Sequence, residues 1–175
     1  DMVLSKAQEG DYFLYLGYIK PYKGLKCLYD ASKYLSQSIR FIIAGGGYDE
    51  SLDKFKQNSN FKIINRFLSN EEVASLIRNC KAVVLPYISA SQSGLVQTAM
   101  VYGKPVIATR VGAFSEIIKD KKNGILVQPA NATELANAIN SFDQFEFASV
   151  YSEEYGWNYI THQYLELLKK TYENN

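Results

Sequence analysis

Residues 82–118, AVVLPYISASQSGLVQTAMVYGKPVIATRVGAFSEII, decide the fold of this chain. Two short apolar runs, residues 82–85 and 105–108, read as strands covered on both faces, because Val and Ile continue without polar alternation. Between them lie the small polar residues 89–93, then Gly94, then helix-compatible sequence to Tyr102. Gly103-Lys104-Pro105 stops that helix, since glycine suits the position after a helix end and proline cannot continue one. A polar loop and a glycine at a helix start, beyond the carboxyl end of a buried strand, gather free N–H groups and the positive end of the helix dipole. In open α/β sheets that edge is where ligands bind. The spacing therefore predicts a phosphate or diphosphate cradle at Gln92, Ser93, Gly94 and Leu95. An ordinary strand–loop–helix turn is the plainer alternative.

The same rhythm extends in both directions. Further strands are expected over 12–18, 41–44, 61–64 and 125–127, making six in all. Between them, Leu25, Leu28, Ser32 and Leu35 recur at helical spacing, and a polar helix is expected over about 49–57. Ser69 and Glu72 form a capping box ahead of the apolar stripe Val73, Leu76, Ile77 and Cys80. Asn131 and Glu134 form a second box ahead of Leu135, Ala138, Ile139 and Phe142. Residues 144–152 read as a linker, and about 155–172 as a closing helix carrying Trp157, Ile160, Tyr164, Leu167 and Leu168 on one face. Alternating strands and helices imply a Rossmann-like α/β domain, a parallel sheet with helices on both faces joined by right-handed crossovers. The domain is placed at residues 1–143, with linker and final helix at 144–175.

Composition removes several classes of function. Lys plus Arg number 19 against 18 Asp plus Glu, so no charge excess favours nucleic acid or an anionic membrane. No apolar run approaches the roughly 18 residues of a membrane span. Residues 1–9 lack a signal-peptide pattern and read as a start within a longer chain. The two cysteines, Cys27 and Cys80, lack metal-ligand spacing, and a reduced cytoplasmic compartment is expected. With one histidine, His162, on the final helix, a zinc site is not expected. Gly45-Gly46-Gly47 is no dinucleotide fingerprint, because Glu50 stands at the last glycine position. G-x-S-x-G is absent, and a Walker loop fails at Thr98 and Pro105. What remains is a set of cations near strand ends: Lys20 and Lys23 after the first strand, and Arg66 after the third. Lys23, beside Gly24, is placed to set an ammonium against a diphosphate on the Gly94 helix; solvated loop charge is the alternative.

Three stretches together carry a resemblance: GYIKPYKGL (17–25), NRFLSNEEVASLIRNCKAVVLPY (65–87) and QSGLVQTAMVYGKPVIATRVGAFSEII (92–118). In this order they resemble the C-terminal, donor-binding half of a family 4 glycosyltransferase of the GT-B fold, over about residues 12–142. The resemblance implies a nucleotide-sugar donor, UDP-sugar foremost, and retaining transfer to a glycan or lipid-linked acceptor without a metal or other cofactor. It also implies a partner N-terminal acceptor domain outside this chain, on which the closing helix packs. Polysaccharide biosynthesis at the inner face of the membrane follows by analogy, with peripheral membrane association through that domain. Lys23 matches the family lysine on the diphosphate, and Gly94 and Leu95 the amides at the helix start. Lys20 stands in for the family arginine, whose place Tyr18 takes, and Ser93 completes the diphosphate set. Gly46, Arg66, Phe67 and Leu68 fall at the nucleobase pocket. The two family glutamates, for donor hexose and ribose, fall at Ser91 or Gln92 and at Thr98, leaving amide and hydroxyl groups for those contacts. Two other classes share this architecture: a nucleotide-sugar epimerase and a non-catalytic binding or scaffolding relative.

Overall fold

In the computed structural model, residues 11–147 are described, together with residues 161, 162 and 165. Six strands form one parallel sheet: β1 (Phe13–Leu16), β2 (Phe41–Ala44), β3 (Phe61–Ile64), β4 (Ala82–Leu85), β5 (Val106–Thr109) and β6 (Gly124–Val127). Their spatial order is β3-β2-β1-β4-β5-β6, so the chain winds outward from β1 in one direction and then in the other. The expected Rossmann-like α/β fold is thus present. The first strand is shorter than the expected 12–18: the regular ladder breaks at Gly17, φ 126°, and beyond it only the isolated bridge of Ile19 with Gly47 continues the pairing with the β2 side.

The helices are α1 (Leu25–Ser32), α2 (Leu52–Phe55), α3 (Asn70–Arg78), α4 (Gly94–Val101), α5 (Phe114–Ile117) and α6 (Ala132–Asn140). Alternation along β1 sorts the core into two layers. Phe13 and Tyr15 join Leu25 and Leu28 of α1 and Leu135 and Ile139 of α6 on one face. Leu14 and Leu16 join Ile77 of α3, Val96 of α4 and Phe114 of α5 on the other. Cys27 and Cys80 are buried free thiols, one in each layer.

Local signals set the helix starts. At α3 the Ser69 hydroxyl accepts from the Glu72 N–H at 3.3 Å, and the Glu72 carboxylate accepts from the Ser69 N–H at 2.9 Å. The second expected box closes on one side only. The Asn131 side chain accepts from the Glu134 N–H at 3.0 Å, but Glu134 accepts from the Gln128 N–H and the Asn131 side-chain amide. Ala130 at φ 57° turns the Asn131 N–H onto the Gln128 carbonyl instead. The expected helix over 49–57 contracts to one turn, with Asp49 holding the Ser51 N–H at 2.8 Å. Past α6, Phe145 and Phe147 still pack on the core layer beside Phe142. The expected closing helix lies outside the described residues except at 161, 162 and 165, which are helical and exposed; His162 is among them.

Candidate functional site

The sheet order reverses between β1 and β4, and the crevice at such a switch point is the ordinary ligand position of an open α/β sheet. The register explains why it opens. β1 pairs with β2 over four residues but with β4 only over Phe13 and Leu14, so β1 and β4 part towards their carboxyl ends.

The turn after β1 is tied to the loop after β4 by main chain. Pro21–Lys23 make a 3-10 turn closed by Gly24, whose N–H donates to the Pro21 carbonyl at 3.1 Å. Gly24 sits at φ 74°, and a Cβ there would lie 1.8 Å from the Pro86 carbonyl oxygen. The Ile88 N–H donates to the Tyr22 carbonyl at 2.8 Å. This stitching brings Lys23 to Tyr87, the second residue past β4. Lys23 Nζ donates to the Tyr87 hydroxyl at 2.8 Å and stands 4.0 Å from the centre of its ring. Partial burial pulls the Lys23 amine below the usual lysine range, opposed by Tyr22. Tyr87 is 1% exposed, and burial pushes its phenol up to about 12. Its carbonyl accepts from the Thr109 hydroxyl at 2.6 Å.

Ser93 is also the N-cap of α4, its hydroxyl accepting from the Leu95 N–H at 3.4 Å. Gly94 opens the helix on the solvent side: a Cβ there would meet nothing within 4 Å, and its N–H has no acceptor among the described residues. Leu95 packs below, where a Cβ on Gly17 would touch its Cδ1 at 3.2 Å. Gly112 braces the loop from behind, its own would-be Cβ 2.4 Å from the Ser91 carbonyl oxygen, which accepts from the Ala113 N–H at 2.9 Å. Lys23, held at Tyr87 past the end of β4, and the start of α4, with Leu95 against Gly17 past the end of β1, therefore lie at the same edge of the sheet.

The other sequence candidates divide. Ser91 and Gln92 are exposed on the loop before α4. Thr98 lies one turn along and spends its hydroxyl proton on the Gly94 carbonyl at 2.8 Å. Lys20 is exposed, with Nζ 5.3 Å from the Tyr18 ring centre. Gly46 and Arg66 are neighbours where β2 and β3 end, a Cβ on Gly46 falling 3.6 Å from the Arg66 carbonyl carbon. The Arg66 guanidinium is turned to Glu72 with two bonds of 2.9 and 2.6 Å, holding that carboxyl down at about 2. Phe67 is 89% exposed, whereas Leu68 is packed into the α3 core layer. Tyr87 and Thr109 are absent from the sequence-derived set. The signal for Tyr87 was its place directly after a strand-ending Leu85-Pro86.

A cleft of about 540 Å³ lies beside the same turn, walled by Pro21, Gly24, Cys27, Asp49, Ile88 and Ala130. No residue of α4 lines it, so the cleft and the helix start are separate features; the helix start has the anion-binding chemistry. Five large apolar side chains are exposed in the loops after β1 to β4: Tyr18, Tyr22, Tyr48, Phe67 and Ile88. Among the described residues no three His, Cys, Asp or Glu side chains are gathered as metal ligands, and no helix is long and apolar enough to cross a membrane.

The family model of the glycosyl transferases group 1 matches residues 10–142. The chain belongs to this family. An uncharacterised glycosyltransferase of Methanocaldococcus jannaschii is 37% identical over 136 residues, covering 75% of this chain and 38% of that protein. The alpha-D-kanosaminyltransferase of Streptomyces kanamyceticus is 29% identical over 133 residues, covering 72% of this chain and 34% of that enzyme. The chain thus spans well under half the length of these relatives. Among solved structures, the Anabaena protein Alr3699/HepE in complex with UDP and glucose superposes with a TM-score of 0.73 at 21% identity, over 93% of this chain and 49% of that one. The C-terminal domain of a group 1 family glycosyl transferase from Francisella tularensis superposes at 0.69 with 24% identity, over 91% of this chain and 89% of that one. The fold is that of the C-terminal domain of a GT-B glycosyltransferase.

Proposed function

We propose that the chain is the donor-binding half of a retaining, metal-independent glycosyltransferase that takes a nucleoside diphosphate sugar, a UDP-sugar foremost. The sugar passes to a glycan or lipid-linked acceptor held by an N-terminal domain outside this chain. The observation that carries the reading is that the Lys23 ammonium, held at Tyr87 just past β4, and the free Gly94 N–H of α4 both lie at the carboxyl ends of the β1/β4 crevice. As the glycosidic bond breaks, negative charge grows on the diphosphate oxygen that leaves. A cation and the free helix-start N–H meeting that charge stabilise the transition state more than the ground state. Lys20 adds a second cation on the solvent side. Ser91, Gln92 and the Thr98 lone pairs supply hydrogen bonds to donor sugar and ribose. Gly46, Arg66 and Phe67 bound the nucleobase, and Leu68 supports them from the core. The solved relative that holds UDP and glucose supports a UDP-sugar. Retention, the acceptor class and a site at the cytoplasmic membrane face rest on the motif resemblance. The exposed Tyr and Phe loops supply a face for the acceptor domain.

The test is a calorimetric titration of the chain with UDP, GDP, ADP and inorganic phosphate, followed by turnover of the full-length protein with a panel of NDP-sugars. Saturable binding of one nucleotide, and transfer from its sugar, are expected. Turnover without nucleotide binding by this half would overturn the assignment of the donor site.

A further inference from the structure

We infer that Tyr87 is a positioning residue that fixes the end of the diphosphate-binding lysine before a donor arrives. The inference rests on the donor-site reading above. Lys23 and α4 sit on separate segments, one after β1 and the other ahead of β5. Tyr87 holds the end of the lysine: its oxygen accepts from Lys23 Nζ at 2.8 Å. The ring of Tyr87 also faces the ammonium at 4.0 Å, within cation–π range.

Tyr87 is itself anchored. Its ring packs on Phe114 of α5 at 5.5 Å between centres, and its carbonyl is fixed by Thr109 at the end of β5. At 1% exposure it cannot touch a donor, so its effect passes through Lys23. The consequence is preorganisation. A lysine stem has four rotatable bonds, and fixing its end before the ligand arrives removes the entropy of fixing it on binding. One Lys23 proton is spent on Tyr87, leaving two to meet the diphosphate.

The experiment is a double-mutant cycle on the chain, combining Tyr87→Phe, which keeps the ring, with Lys23→Ala, and titrating with UDP and with inorganic pyrophosphate. A 15N spectrum of the lysine ammonium groups reports on Lys23 without any ligand. Tyr87→Phe is expected to broaden the Lys23 resonance through faster solvent exchange and to weaken both ligands about five- to tenfold, the scale of one hydrogen bond. In the Lys23→Ala background the same change is expected to have no further effect. A structural role alone would weaken binding in both backgrounds, and that result overturns the inference. Unchanged affinity in Tyr87→Phe with intact UDP binding by the wild type overturns it too. A pinned Lys23 resonance in a chain that binds neither ligand overturns the donor-site reading and the role of Tyr87 with it.

Discussion

Replacing Gly24 with alanine separates the scaffold of the site from its chemistry. At φ 74° an alanine occupies left-handed backbone, which costs about 1–3 kcal/mol. Its methyl would fall 1.8 Å from the Pro86 carbonyl oxygen, when Cβ contacts under 3.0 Å essentially do not occur. The turn and the strand exit must therefore part by about 1.2 Å, against main chain that has no rotamer with which to yield. Overpacking of this kind adds about 1–3 kcal/mol. A total near 3 kcal/mol predicts a melting temperature lower by roughly 6–12 °C for a domain of this size. The internal comparison is Gly94→Ala. Nothing lies within 4 Å of a Cβ at Gly94, and alanine suits a helix better than glycine does. That variant should melt at or slightly above the wild-type temperature, yet lose diphosphate affinity, because its methyl stands where the anion approaches. Thermal melts of both variants, with and without UDP, decide the matter. A Gly24→Ala protein melting within about 2 °C of wild type would refute the close contact of the two segments.

Three further outcomes follow from the same geometry. Lys23→Ala should weaken UDP by roughly 10- to 100-fold, the worth of a hydrogen bond to a charged group, while the melt without ligand stays near wild type; titration calorimetry reads it, and unchanged binding would remove Lys23 from the site. UDP affinity should fall on the alkaline side, beginning at lower pH than for an ordinary lysine, because burial depresses the Lys23 amine in the free chain. The sign is fixed: a bound anion raises that pKa again, so binding takes up a proton and weakens as pH rises through the free-state value; affinity flat to pH 11 would contradict it. Ser69→Ala removes the α3 cap and should cost about 1 kcal/mol, a fall of roughly 2–4 °C in the melt; no change would mean that the Arg66–Glu72 pair holds the helix start alone.

Much of the scaffold was legible because its signals are local. Short apolar runs alternating with helical patterns marked the six strands, and Ser69 with Glu72 marked the start of α3 to the residue. Ser93 and Gly94 were legible for the same reason, since a cap and a helix start are read over three or four residues. What escaped depends on contacts between segments distant in sequence. Tyr87 and Lys23 are 64 positions apart, and the place of Tyr87 after Leu85-Pro86 marks a strand exit without telling a core tyrosine from one that holds a lysine. The turn of Arg66 towards Glu72, and the burial of Leu68 beside an 89% exposed Phe67, depend on how the chain leaves β3. At Asn131 the capping pattern was right but its partner was not, because a positive φ at Ala130 redirected one N–H.

The seams of Gly24 against Pro86 and of Gly112 against Ser91 join backbone to backbone with no side chain between them. Such a joint has no stake in what projects from either strand of it. Ser91, Gln92 and Thr98 can therefore be exchanged for other residues, to suit another sugar or another base, while the anchorage beneath them keeps its dimensions. For protein engineering the division of labour is plain: selectivity can be rewritten on the outward positions, and libraries should leave the two glycines alone.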